Sequence, residues 1–286
     1  MPRPYPLRPD ENLEGLRTYA VELARDAGDV TLRYFRGELE VETKVDETPV
    51  TRADRESELL IRERLAVDHP GDGVLGEEYG TSEGDGRRTW IIDPIDGTKS
   101  FVAGVPLYAV LVALVEGRYD GERIDTARVL LGVIHIPPLA ETVSAARGFG
   151  TVWESRPAGR IQPTCNPAKV SRHSDLQGAR VCTSDFAELH RLEPAVSRCL
   201  DERSALSRTW GDAYGYLLVA TGRMDVMIDP IVSPWDIAPL PVIIEEAGGR
   251  FSTLDGRDVL GAHALATNGR LHDEMLSCRD VSRTGS

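Results

Sequence analysis

No stretch of this 286-residue sequence stays apolar long enough to cross a bilayer, so no membrane span is expected. The proline-rich opening, residues 1–10, lacks the apolar centre of a secretory signal and reads as a flexible N-terminal arm. None of the four cysteines, Cys165, Cys182, Cys199 and Cys278, forms a Cys-x-x-Cys pair. They read as reduced, structural thiols of a cytoplasmic protein. The six histidines never adopt His-Glu-x-x-His spacing, which leaves a zinc-hydrolase reading without support. Positive charge is also short. Lys and Arg total 33 against 46 Asp and Glu, a net −13. That balance argues against non-specific binding to nucleic acid or anionic membrane. An anionic small molecule stays possible, because bound cations reverse the local sign of an acidic site. Long repeats and low-complexity tracts are absent as well.

What is present fits a soluble globular chain with a substantial core. Apolar spacing predicts a helix over residues 11–35, with Leu13, Leu16, Ala20, Leu23, Ala24 and Ala27 on one face. Residues 43–49 read as a turn. Thr51-Arg-Ala-Asp54 has the form of a capping box before a second helix that His69-Pro70-Gly71 stops. Residues 107–115, 129–136 and 141–146 read as strands of one sheet, and the stretch from Gly148 to Pro167 as a hairpin. Beyond Lys169 strands and helices alternate: strand 180–183, helix 186–200, helix 211–221, strand 224–228 and helix 236–247 before Gly248-Gly249. The expected division is an N-terminal α+β half, residues 11–150, and a C-terminal α/β half, residues 151–286.

Chemistry concentrates in Trp90-Ile91-Ile92-Asp93-Pro94-Ile95-Asp96-Gly97-Thr98-Lys99. Two carboxylates stand three residues apart at the end of an apolar strand, and Gly97-Thr98 follows as a sharp turn. Hard divalent cations want oxygen ligands, and phosphate wants N–H donors beside them. Gly76-Glu77-Glu78 lies upstream and Trp235-Asp236 downstream. In this reading Asp93, Asp96 and the Ile95 carbonyl hold neighbouring ions, with Glu77 and Asp236 completing the coordination. Thr98 holds the attacking water, and Gly97 and Thr98 offer N–H groups to phosphate. Two or more Mg²⁺ ions can clamp the attacking and leaving oxygens of a phosphate ester. Each piece alone has a plainer reading: Asp-x-x-Asp as a surface turn, Asp236 as a first-turn helix acid.

Taken in order and spacing, Gly76-Glu77-Glu78, Asp93 to Thr98, Trp235-Asp236 and Ile244 to Gly249 resemble the inositol monophosphatase superfamily of Mg²⁺-dependent phosphatases, over roughly residues 35–270. The resemblance implies a layered α-β-α-β-α sandwich of the inositol monophosphatase/fructose-1,6-bisphosphatase type. It also implies a homodimer and two or three Mg²⁺ ions on Glu77, Asp93, Ile95, Asp96 and Asp236. Glu78 would stand behind these ligands, and Thr98, supported by Glu77, would activate water. Asp54 aligns near an additional metal position, with helix capping as its equal alternative, and Lys44 aligns near the same loop.

Lys99-Ser100-Phe101, the run Gly211 to Arg223 and the run Ala266 to His272 look like the histidinol-phosphatase branch. The expected substrate is therefore a small phosphorylated metabolite, L-histidinol phosphate. Inositol-1-phosphate comes next, then 3′-phosphoadenosine-5′-phosphate or fructose-1,6-bisphosphate; a non-catalytic phosphometabolite-binding protein is the alternative from another class. Asp212 and Asp229 are candidates to face the cationic substrate, and Arg208 to reach a phosphate oxygen. Their plainer roles are helix cap, strand-end turn residue and solvated charge. Pro239 and Pro241, just after Asp236, are expected to shift that helical turn.

Overall fold

The computed structural model describes residues 12–37, 41–43, 49–119, 124–156 and 162–280. Lys44 and the N-terminal arm lie outside them. Five layers, α-β-α-β-α, stack through two sheets. The outer helices are α1 (Leu13–Tyr34) and α2 (Arg52–Asp68). Behind them, among the described residues, lies an eight-stranded sheet built from β3 (Gly73–Gly76), β4 (Gly80–Ser82), β5 (Arg88–Asp96), β6 (Ala109–Glu116), β7 (Val129–Ile136), β8 (Glu141–Ala146), β9 (Thr151–Ser155) and β10 (Thr164–Pro167), in the order β10-β9-β8-β7-β6-β5-β3-β4. A short antiparallel pair, β1 (Val41–Thr43) and β2 (Pro49–Thr51), precedes α2. The central layer holds α6 (Asp212–Ala220) and α8 (Leu240–Glu246), with the single turns α3 (Thr98–Val102) and α7 (Pro234–Ile237) nearby. A second, mixed sheet follows in the order β12-β11-β13-β15-β14. Its strands are β11 (Arg180–Thr183), β12 (Leu206–Arg208), β13 (Val226–Asp229), β14 (Arg250–Ser252) and β15 (Ala264–Thr267). The last layer is α4 (Phe186–Leu192), α5 (Pro194–Arg203) and α9 (His272–Asp280).

Alternation along β5 explains the stacking. Trp90 and Ile92 join Leu23, Ile61 and Leu65 under the outer helices, whereas Ile91 joins Leu217 and Ile243 in the central layer. Successive strand side chains point to opposite faces, so a strand buried on both sides must be apolar throughout, as β5 and β6 are. Gly132 of β7 lets the start of α8 approach; a Cβ there would lie 2.4 Å from the Pro239 carbonyl oxygen. The second sheet has its own apolar cluster against the last helices, with Val181, Leu200, Ile228 and Met275.

Several expectations need correction. Strands β9 and β10 complete the first sheet, so the division expected at residue 150 falls inside it. The helix expected over residues 186–200 is broken at Glu193, where Pro194 starts α5. The one expected over residues 236–247 is broken at Pro239, which caps α8. Both breaks follow from proline, which tolerates a first helical turn but not a helix interior. Cys199 and Cys278 are not free thiols: they form a disulfide across a Cα–Cα distance of 5.9 Å, leaving Cys165 and Cys182 unpaired. The pairing escapes a sequence reading because the fold, not local spacing, packs α5 beside α9.

Candidate active site

Asp93 and Asp96 owe their common direction to an irregularity. Residues three apart on a regular strand face opposite ways. Against β6, Asp93 pairs with Leu111 and Asp96 with Ala109, so β5 carries one extra residue between them. This bulge spans Pro94 and Ile95, and Pro94 has no N–H to lose from the ladder. It returns Asp96 to the side of Asp93. Gly97 then turns the chain at φ 82°, a left-handed conformation that favours glycine. A Cβ at Gly97 would also lie 2.7 Å from Asp212 Oδ2.

Oxygens of Asp93, Asp96 and Asp236 all lie within 4.8 Å of one another. Each carboxylate also takes a backbone N–H. Ile95 donates to Asp93 Oδ1 at 3.0 Å, Ala213 to Asp96 Oδ2 at 2.7 Å and Ser233 to Asp236 Oδ2 at 2.7 Å. The end of β5 and the first turns of α6 and α7 thus aim three acids at one point. The electrostatics are costly in a protein alone. Burial, then the charges of Glu77, Asp96 and Asp236, raise the Asp93 pKa well above the usual carboxylate range. Burial and then Asp212 do the same to Asp96. Asp236 is pushed up to about 7, by burial first. Desolvated, mutually repelling carboxylates with a carbonyl beside them form the oxygen-only donor set a hard divalent cation takes. Thr98 Oγ1 donates to that Ile95 carbonyl at 3.1 Å.

Around this trio the other expected residues take distinct places. Glu77 and Glu78 lie in the turn between β3 and β4, and the charge of Glu77 reaches Asp93, Asp54 and Asp236. Asp54 takes the capping role of its two expected ones. Its Oδ2 caps α2 by accepting from Thr51 N at 2.8 Å and Thr51 Oγ1 at 2.6 Å, while the buried Oδ1 has no hydrogen-bond partner among the described residues. Burial raises Asp54 to about 6. An orphaned carboxylate oxygen beside Glu77 fits a further cation. Asp212 begins α6 beside Gly97; burial raises its pKa and Lys99 lowers it. Arg208 is exposed on the edge strand β12, where Nη1 donates to the Ser207 carbonyl at 2.7 Å.

Asp229 differs from the expectation of substrate contact. It is 4% exposed, and its two oxygens accept from Ser184 N at 3.1 Å and Tyr216 Oη at 2.6 Å. Burial raises it to about 6. Asp229 ends β13, and the Tyr216 hydroxyl of α6 holds it in the interior, from where its charge reaches Asp96. Sequence reasoning also missed Glu58, a fully buried α2 carboxylate that accepts the Glu78 N–H at 2.7 Å. Its sole sequence signal is its place one helical turn after Asp54, on the face carrying Ser57 and Ile61.

Fold and site define a class: a layered α/β protein with a buried cluster of carboxylates, where β5 meets α6 and α7, that could hold a metal ion. Residues 12–283 match the inositol monophosphatase family, and the chain belongs to that metal-dependent family. It is 41% identical over 256 residues to a Chlorobaculum parvum protein named histidinol-phosphatase, covering 85% of this chain and 90% of that one. A Mycobacterium tuberculosis protein of the same name is 41% identical over 268 residues, covering 90% and 95%. Among solved structures, SuhB from Bartonella henselae superposes with a TM-score of 0.79 at 25% identity, covering 92% of this chain and 98% of that one. An inositol monophosphatase from Thermotoga maritima gives 0.78 at 29%, covering 95% and 100%.

Proposed function

We propose that this protein is a Mg²⁺-dependent phosphomonoesterase that hydrolyses L-histidinol phosphate to L-histidinol and phosphate. The convergence of Asp93, Asp96 and Asp236 carries the reading, in a chain 41% identical to proteins named histidinol-phosphatase. Those three acids, Glu77, the Ile95 carbonyl and Asp54 would hold two or three ions. When bound, the ions neutralise phosphoryl oxygens and acidify a water.

The chain supplies the rest. Thr98, supported by Glu77, orients and helps to activate the attacking water, whose proton passes to solvent. The N–H groups of Gly97 and Thr98 face the phosphoryl oxygens. Attack breaks the P–O ester bond, and the leaving oxygen takes a proton to give the alcohol. Asp212, beside Gly97, faces the leaving group and favours one that carries an ammonium and an imidazole over a neutral polyol. Arg208 is the candidate to reach a phosphate oxygen from the rim.

The reading includes a cytoplasmic homodimer; light scattering on the purified protein tests the dimer. Phosphate release with Mg²⁺ and with chelator, from histidinol phosphate, inositol-1-phosphate, 3′-phosphoadenosine-5′-phosphate and fructose-1,6-bisphosphate, tests the activity. Histidinol phosphate should give the highest kcat/KM, and chelator should abolish release. Preference for inositol-1-phosphate would reassign the substrate. Calorimetric binding of histidinol phosphate without turnover would turn the enzyme into a binding protein.

A further inference from the structure

The turn that carries Glu77 is held from outside the acid cluster by two side chains of α2. Glu58 is fully buried. Its Oε2 accepts from Glu78 N at 2.7 Å, and its Oε1 accepts from Tyr79 N at 3.2 Å and from Arg62 Nε at 2.7 Å. Arg62, one helical turn on, spans the rest of the hairpin. Its Nη1 donates to Ser82 Oγ at 2.9 Å, its Nη2 donates to the Gly80 carbonyl, and its guanidinium stands 6.0 Å over the Tyr79 ring. Gly76 leaves room for the carboxylate, since a Cβ there would lie 2.1 Å from Glu58 Oε1. A buried ion pair is a poor source of stability, and an apolar pair of similar size would serve packing as well. Two adjacent N–H groups in an irregular turn do need an acceptor, and a carboxylate satisfies both. The turn also carries a charge that repels those of Asp93, Asp236 and Asp54.

We propose that Glu58 and Arg62 are positioning residues, a latch that fixes the Glu77 turn against this repulsion and so sets metal affinity rather than the rate of the chemical step. The proposal rests on the reading of Glu77 as a metal ligand. Glu58→Gln turns an amide toward donors that need an acceptor. Gly76→Ala displaces the Glu58 carboxylate by steric contact and leaves its charge in place.

Calorimetry with Mn²⁺ on the intact protein, together with Mg²⁺ titrations of phosphate release, tests the latch. Both variants should bind Mn²⁺ about 10–100-fold more weakly, the range for losing a group that supports a metal ligand. Their half-saturating Mg²⁺ should rise in parallel, and kcat at saturating Mg²⁺ should stay within about threefold of wild type. A merely structural role would lower the melting temperature without this split. Mn²⁺ affinity within twofold of wild type in folded Glu58→Gln overturns the proposal. If that variant does not fold, the same result in Gly76→Ala overturns it. A wild-type protein that binds no Mn²⁺ sinks the metal reading, and the latch with it.

Discussion

Replacing Asp236 with Asn should make the metal-free protein more stable while destroying its function. Asp236 is partly buried, and its pKa stands at about 7 against an ordinary 3.8. That difference corresponds to about 4 kcal/mol between the protonation states. Solvent screening at a partly exposed group cuts the usable part to about 2 kcal/mol. The sign follows from a folded-state pKa above the unfolded one. The associated stability is fully present below pH 3.8 and lost as pH rises through 7, so at pH 8 the folded chain bears the whole penalty. Asn has no charge to desolvate, and its carbonyl can still accept the Ser233 N–H that Asp236 Oδ2 takes at 2.7 Å. For a chain of this size about 2 kcal/mol raises the melting temperature by about 3 °C. Thermal melts in chelator at pH 8 should show that gain, and it should shrink by about half at pH 5.5. In Mg²⁺ the order should reverse, because bound cation stabilises wild type by mass action and the variant far less. An Asp236→Asn protein that melts below wild type in chelator at pH 8 would refute the electrostatic account of the site.

Other outcomes follow from single groups. Thr98→Ala should lower kcat by about 10²–10³-fold with little change in melting temperature, the loss expected for a group that aligns proton transfer; stopped phosphate-release assays check it. His272 is fully buried between Ser252 Oγ at 2.9 Å and Thr267 Oγ1 at 3.1 Å, and burial lowers its pKa to about 4. Its folded pKa lies below the unfolded 6.5, so its contribution is present above pH 6.5 and up to about 3 kcal/mol is lost as pH falls to 4. Urea melts should therefore show His272→Asn closing on wild type across that window. Unreduced, denatured protein should titrate two thiols rather than four. Reduction should destabilise the fold by about 2–4 kcal/mol, since Cys199–Cys278 closes a long loop with a sequence separation of 79.

The acids could be read from sequence, whereas their convergence could not. Asp93, Asp96 and Asp236 stand beside proline, glycine or a helix start, and such punctuation survives in one dimension. The bulge that aligns Asp93 with Asp96 is a property of β5 against β6, a partner that no local pattern names. Strands 129–136 and 180–183 were legible to the residue because turns bracket apolar runs there. The break at Glu193 was not, because apolar spacing continues through it, whereas the shift at Pro239 was legible as a disturbed turn though not as a full break. Asp229 looked available to the substrate because it precedes Asp236 by only seven residues. Only the fold places Tyr216 and Ser184 against its two oxygens.

The acids of the cluster sit at or next to places where regular structure fails: Asp93 and Asp96 on either side of a bulge, Asp236 in the single turn α7, and Glu77 in the turn between β3 and β4. Regular elements satisfy their own N–H groups. Irregular ones leave N–H groups to be taken by side chains, as Ile95, Ala213 and Ser233 are here. A carboxylate anchored through one oxygen in this way is fixed in direction and keeps its second oxygen as a further acceptor. The two sheets supply the rigidity that holds three such anchors against their mutual repulsion. The cost appears as raised carboxyl pKa values in the metal-free protein, and a divalent cation removes it. Metal affinity and metal-free instability are therefore the same free energy seen from two sides, and a substitution that relieves one must weaken the other.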